Sequence, residues 1–264
     1  MNKELTLLTT SCKYYEDVLD IHETLYKIHW ADCPFKRYLV MEEEPDNKNI
    51  LNNYDKVIIT GKESGKKNHL RITQALEQIN TSYVAFFQED MLLCNKVNSA
   101  DIISLLNFAI KHKAGVMRLL PVTTEYARIF SEKDNLVEYP KGTPYRISYA
   151  PAIWEKNFLY NISKEFVYGG DFERKGTFMA LDMSEKVLGV KYAVYPYLNG
   201  ILRGKWEIPA VRYLNYYKII PDFNRHSLMT PKDLLKQAIM GYIYNINPTA
   251  ILKLQNTVKL GKSY

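Results

Sequence analysis

Residues 83–90, Tyr-Val-Ala-Phe-Phe-Gln-Glu-Asp, constrain this chain more than any other stretch. Five apolar residues run without interruption from Tyr83 to Phe87 and stop at Gln88, Glu89 and Asp90. A continuous apolar run of that length, rich in aromatic residues, suits a central strand covered on both faces. Open α/β sheets bind their ligands outside the carboxyl ends of the strands, where Glu89 and Asp90 would fall. Carboxylates in that position need a positive partner, because an uncompensated buried charge is expensive. One reading is a divalent cation that carries a diphosphate. The other is an acidic loop or helix cap that follows a core strand.

Strand-like and helix-like patterns alternate around this run. Leu5–Thr9 reads as a strand, followed by a helix that starts at Glu16-Asp17 and reaches about Trp30. Arg37–Met41 and Lys56–Thr60 are the next strands, the latter stopped by Gly61. A helix over 68–78 leads into the opening strand. Ser99 reads as the cap of an Ile- and Leu-rich helix, and Gly115 leads into a strand over Val116–Leu120. This rhythm predicts a mostly parallel, wound α/β sheet with right-handed crossovers, flanked by helices. From about 121 the pattern changes. Tyr145–Tyr149 alternates as a strand does, Ala150–Leu159 reads as a helix opened by Pro151, and Met179–Leu188 reads as helical. The tail holds two helix starts, Thr230-Pro231 and Asn247-Pro248, each followed by an amphipathic stripe. The stretches divide into a domain over 1–220, with halves of about 1–120 and 121–220, and a basic helical tail over 221–264.

Several function classes fall away. The first strand is not followed by Gly-x-Gly-x-x-Gly, no Walker-type Gly-Lys-Ser/Thr is present, and Gly61–Lys67 has the wrong spacing for a phosphate loop. Cys12, Cys33 and Cys94 are too few and too scattered for a disulfide framework or a zinc ribbon. With no 18-residue apolar span and no signal-peptide pattern, the expectation is a cytoplasmic protein. The excess positive charge behind the net +6 is all C-terminal: residues 1–200 carry 25 Lys and Arg against 26 acids, and residues 201–264 carry 10 against 3. Such asymmetry points to an anionic partner, phosphate or membrane surface. No RNA- or DNA-binding motif accompanies it, so a nucleic-acid partner is not expected. His22 and His29 read as structural, His226 as a weak metal candidate, and Trp154 and Trp206 as core anchors.

Four stretches, in order, resemble bacterial nucleotide-sugar-dependent glycosyltransferases of the GT-A fold, of the kind found in capsule and O-antigen assembly. They are the first strand ending in Leu-Thr-Thr-Ser, and the strand ending in Gln-Glu-Asp at 88–90. The others are Ala-Pro-Ala-Ile-Trp-Glu-Lys-Asn-Phe-Leu followed by Gly-Asp-Phe-Glu, and the late Asn-Gly-Ile-Leu-Arg-Gly-Lys-Trp. The acidic motif departs from Asp-x-Asp, and Gly170-Asp171-Phe172-Glu173 stands where related sequences tend to have Trp-Glu-Phe-Glu.

The resemblance implies roles. A UDP-sugar or similar donor would bind through Thr9, Ser11, Tyr14, Gln88, Glu89, Arg203 and Lys205. Asp90 would hold Mg²⁺ or Mn²⁺ against the diphosphate. Asp171 or Glu173 would serve as base toward the hydroxyl of an oligosaccharide or lipid-linked glycan, with inversion. Each residue also has a plainer reading: capping acids at 90, 171 and 173, a solvated basic loop at 203–205, and packing at Tyr14. The basic tail would either lie on the inner face of the plasma membrane or pack on the domain. A non-catalytic nucleotide-sugar or glycan-binding protein on the same scaffold is the rival function.

Overall fold

A computed structural model describes residues 4–65, 67–122, 124–166 and 169–246; the side chains at 124, 169–171, 174 and 240–246 also lie outside the description. Two units form, Met1–Tyr197 and Leu198–Tyr264.

In the first unit, neighbouring residues of one strand pack on opposite faces, as a period of two requires. Leu5, Leu7, Tyr83, Ala85 and Phe87 enter one core, while Leu8, Val84 and Phe86 enter the other. Burial on both faces explains the unbroken apolar runs. The strands are β1 (Leu5–Thr10), β2 (Lys36–Met41), β3 (Lys56–Ile59), β4 (Tyr83–Gln88), a short β5 (Met91–Leu93), β6 (Ala114–Arg118), β7 (Arg128–Ser131), β8 (Leu136–Glu138), β9 (Ala152–Glu155) and β10 (Lys186–Val190). Nine of them form one sheet in the order β3-β2-β1-β4-β9-β6-β10-β8-β7. β1 to β4 pair in parallel, as do β6 and β10, so the expected α/β, Rossmann-like wound sheet is present. The helices are α1 (Glu16–His29), α2 (Asn68–Glu77), α3 (Ser99–His112), α4 (Lys156–Ser163) and α5 (Gly169–Met179). Chain order runs outward from β1 to β3 and then returns to β4 on the other side of β1. The switch point therefore lies between β1 and β4, the pair whose carboxyl ends carry Ser11 and Glu89.

Four expectations are corrected. Pro151 precedes a strand, not a helix: Ile153 and Trp154 are fully buried between β4 and β6, and β9 runs antiparallel to both. The helix begins only at Lys156, where the Glu155 carboxylate accepts from the amides of Asn157 and Phe158. Tyr145–Tyr149 is a buried irregular strap instead of a strand, because side chains satisfy its backbone (below). α5 ends at Met179, and Lys186–Val190 is strand where helix was expected. The cap of α3 is Asn98, whose side chain accepts from the amide of Ala100; Ser99 instead accepts a hydrogen bond from the Trp30 indole at 2.8 Å.

The second unit is built on Trp206, fully buried with Leu214, His226 and Met229. Two short strands, Ile201–Leu202 and Lys205–Trp206, turn through Arg203 and Gly204, both with positive φ. α6 (Ile208–Tyr216) and α7 (Pro231–Ile246) follow. Thr230 and Asp233 cap α7 reciprocally: the Thr230 amide donates to Asp233 at 2.8 Å, and the Asp233 amide donates to the Thr230 hydroxyl at 3.3 Å. The helix start at Asn247-Pro248 lies outside the described residues. Among the described residues no helix is long and apolar enough to cross a membrane.

Candidate functional site

The carboxyl ends of β1, β2 and β4 converge with α2 on a cluster of buried polar groups. The Glu89 amide donates to Thr10 O at 3.3 Å, which continues the β1–β4 pairing and brings Glu89 beside the β1 loop. Ser11 and Glu42 sit at the ends of the neighbouring strands, tied by the Ser11 amide to Val40 O at 3.0 Å. Glu42 Oε1 accepts from the amide of Lys13. Arg71, one turn into α2, donates to Gly65 O at 3.1 Å and faces Glu42 Oε2 at 3.6 Å, too far for a hydrogen bond.

Three polar atoms in this cluster are buried and have no hydrogen-bond partner among the described residues: Ser11 Oγ, Glu42 Oε2 and Arg71 Nε. Buried polar groups are nearly always satisfied, so three such atoms from one strand-end neighbourhood mark a place built to meet something else. Electrostatics agree. Burial, and then the charge of Asp90, push the Glu89 carboxyl up to about 8, against a smaller opposing pull from Arg71. Burial and Glu89 likewise push the Cys12 thiol up to about 11 and the Tyr15 phenol to about 12.

A second acidic element reaches the same neighbourhood. On α5, Glu173 Oε1 accepts from the Tyr149 amide at 3.1 Å, and Thr177, one turn on, accepts from the Ile147 amide at 3.2 Å. Tyr149 stacks on Phe172 at 3.9 Å and packs on Phe86 of β4. Burial and Glu173 push its phenol far up, while Arg71 pulls it back, so Tyr149 lies within electrostatic reach of both. Two buried arginines hold the strap from behind. Arg118, at the end of β6, donates to the carbonyls of Val122 and Tyr145 and lies over the Tyr139 ring at 4.1 Å. Arg146 donates to the carbonyls of Tyr139, Ala180 and Glu185. Between these anchors Tyr145 is held at φ 51°, the left-handed region that a bulky side chain seldom adopts.

Of the residues singled out in the sequence, Ser11, Glu89 and Glu173 belong to this neighbourhood, with Gln88 half-buried at the end of β4 and Asp90 in the turn that follows. Thr9 faces elsewhere, within hydrogen-bond reach of Tyr54. Tyr14 is exposed and packs edge-on against Tyr15. Asp171 lies in α5, but its side chain is outside the described residues. Arg203 and Lys205 belong to the second unit, where the Lys205 ammonium sits on Asp233 at 2.8 Å. His226 is buried in that unit's core, and its amide donates to Asp222 O. His22 and His29 are buried on α1. Among the described residues no three His, Cys, Asp or Glu side chains converge as a protein-only metal cage would need. Glu42, Arg71, Arg118 and Tyr149 escaped the sequence reading. Only Glu42 left a trace, as the first acid after a strand in Glu-Glu-Glu.

No family model and no curated protein matches the sequence. Among solved structures the chain is similar to S. aureus TarS 1–349, with 15% identity over 72% of this chain and 59% of that one and a TM-score of 0.49. It is similar to the bifunctional IspDF from Campylobacter jejuni, with 15% identity over 74% of this chain and 52% of that one and a TM-score of 0.44. The chain thus spans less than two thirds of either. A third similarity is to CMP:2-keto-3-deoxy-manno-octonic acid synthetase complexed with CTP, with 10% identity over 74% of this chain and 93% of that one and a TM-score of 0.49.

Proposed function

We propose that this chain is a GT-A-like glycosyltransferase that moves a sugar from a nucleotide-diphosphate donor to a hydroxyl of a bacterial surface glycan. One observation carries the reading: the unpartnered Ser11 hydroxyl, Glu42 carboxylate oxygen and Arg71 Nε, gathered at the β1–β4 switch point next to Glu89. A pyrimidine such as uracil presents a ring N–H between two carbonyl oxygens. A carboxylate complements the N–H, a guanidinium complements a carbonyl, and a serine hydroxyl suits a ribose hydroxyl. UDP-sugars are accordingly the favoured donors.

Glu89 and Asp90 fit a hard divalent cation. Burial and the neighbouring charge hold the Glu89 proton on, and a doubly positive ion is the partner that lets both carboxylates ionise. Mg²⁺ or Mn²⁺ takes one or two protein carboxylates and fills its other positions with phosphate oxygens, so no larger cage is required. When bound, the ion neutralises charge on the departing diphosphate. Asp90 is the proposed ligand, and Glu89 meets the donor sugar or the ion. On the acceptor side Asp171 or Glu173 takes the hydroxyl proton. The new bond from that oxygen to the anomeric carbon forms as the bond to the diphosphate breaks, on the opposite face, with inversion.

The test is a thermal shift with a panel of nucleotides, with and without Mn²⁺, followed by donor hydrolysis without acceptor. A UDP-selective shift that Mn²⁺ enlarges is expected. Asp171→Asn or Glu173→Gln should then lower turnover by about 10²–10⁴-fold while binding persists. A shift indifferent to the nucleotide would sink the reading. One observation favours the rival, a non-catalytic nucleotide-sugar or glycan binder: Glu173 Oε1 is engaged by the Tyr149 amide. Selective binding with no turnover in any variant decides for it.

A further inference from the structure

α7 is attached to its unit by the wrong side. Asp233 accepts from Lys205 and Thr230, and Gln237, four residues later and so on the same side, hydrogen-bonds Glu207 at the start of α6. At about 100° per residue, Leu234, Leu235, Ala238 and Ile239 fall on the side turned away, and all four are exposed, Leu235 at 63%. A helix that packs on a soluble core normally does the reverse. Lys232 and Lys236 border the stripe on its far edge. Both are exposed and have no acidic partner among the described residues.

The rest of the unit shares the pattern. Among the described residues, seven of the fourteen exposed large hydrophobic side chains fall between 216 and 239, with Tyr216 at 80% and Ile220 at 82%. Exposed Arg212 and Lys218 stand among them. Residues 201–264 carry ten Lys and Arg against three acids, and two of those acids, Glu207 and Asp233, are already engaged within the unit. An exposed apolar stripe edged by unpaired cations is the pattern of a helix that lies in the boundary of an anionic bilayer. A second copy packed antiparallel on the same stripe would bring the lysine edges of both chains together, which like charge opposes.

We infer that α7 is an interfacial helix that seats the second unit on an anionic lipid surface, with Leu234, Leu235 and Ile239 inserted and Lys232 and Lys236 at the headgroups. The full chain is sedimented with phosphatidylcholine vesicles, with and without one third phosphatidylglycerol. Binding is expected only to the anionic vesicles, and it should weaken as salt is raised. Leu235→Glu/Ile239→Glu and, separately, Lys232→Glu/Lys236→Glu should each lower it on the order of tenfold or more. Circular dichroism of both variants should match the parent, and any nucleotide-induced thermal shift should be unchanged, so the result stands apart from the proposed activity. Equal binding to both vesicle types, or binding that Leu235→Glu/Ile239→Glu leaves intact, overturns the inference. So does a dimer by light scattering that the same substitutions dissociate, which would assign the stripe to a second copy.

Discussion

Strand β2 carries a buried ion cluster near each end, and the two are built in opposite ways. At the amino end Arg37 grips both oxygens of Glu23 at 2.7 and 2.9 Å, donates to Asn53 O, and lies over the rings of Tyr26 and Tyr54. Tyr54 completes the set by donating to Glu23. Past the carboxyl end, Glu42 and Arg71 stand 3.6 Å apart, each with an atom left over, and Glu89 crowds in as a further acid. The charges of the first cluster are closed: Arg37, Glu23 and Tyr54 satisfy one another, and what is left over is the neutral Tyr26 hydroxyl. The second is open, and its surplus valence faces the edge where a wound sheet binds ligands. Burial of charge alone therefore does not mark a functional site. The candidate site is set apart by incomplete satisfaction at the carboxyl edge.

The sharpest way to break this contrast is Arg37→Met. Removing one partner strands the Glu23 carboxylate, and denaturant unfolding should show a loss of about 3–5 kcal/mol. A loss below about 1 kcal/mol would mean that the cluster is not closed. Arg71→Met should behave differently: about 1.5–3 kcal/mol of nucleotide affinity disappears in a titration, because a charged hydrogen-bonding group is gone. Its unfolding free energy should fall by less than the Arg37→Met loss, since Arg71 stands 3.6 Å from Glu42 where Arg37 grips both oxygens of Glu23. Equal stability losses in the two variants would erase the distinction.

A pH titration sharpens it further. Burial holds His22, beside Glu23, down to about 4, so the folded state keeps this ring neutral while the unfolded chain protonates near its ordinary value. Between those two values the unfolded state binds more protons, and stability must fall as pH falls. His22→Leu should flatten this slope and recover about 1–2 kcal/mol near pH 5 relative to the parent's loss, read from unfolding curves at several pH values. The smallest effect belongs to Glu44 and Lys48, an exposed pair of charges. Lys48→Ala should change stability by no more than about 0.5 kcal/mol, and added salt should abolish the difference.

The first half of the chain was legible in sequence because its strands are buried on both faces and write continuous apolar runs. The ends of those runs located Ser11 and Glu89 directly. Arg71 was not legible: one arginine on an amphipathic helix looks like any solvated residue until β2 places Glu42 beside it. β9 was missed because a proline before Ala-Ile-Trp reads as a helix opening, and only the gap between β4 and β6 makes it a strand. Tyr145–Tyr149 alternates like a strand yet has no strand partner. Arg118 and two side chains of α5 satisfy its backbone instead, from places up to 30 residues away in sequence. Local periodicity carries no information about such distant partners.

The reversed direction of β9 has a consequence for how the protein can change. A parallel neighbour of β4 would send its incoming chain to the amino edge, and a crossover of a dozen or more residues would be needed to return to the other side. Because Ala152 stands opposite both Phe86 and Arg118, the residues just before it arrive at the carboxyl edge with their amides already pointing at the acid on α5. One inverted strand thus splices a remote stretch of chain into the carboxyl edge by the shortest route available, leaving the parallel frame of β1 to β4 untouched.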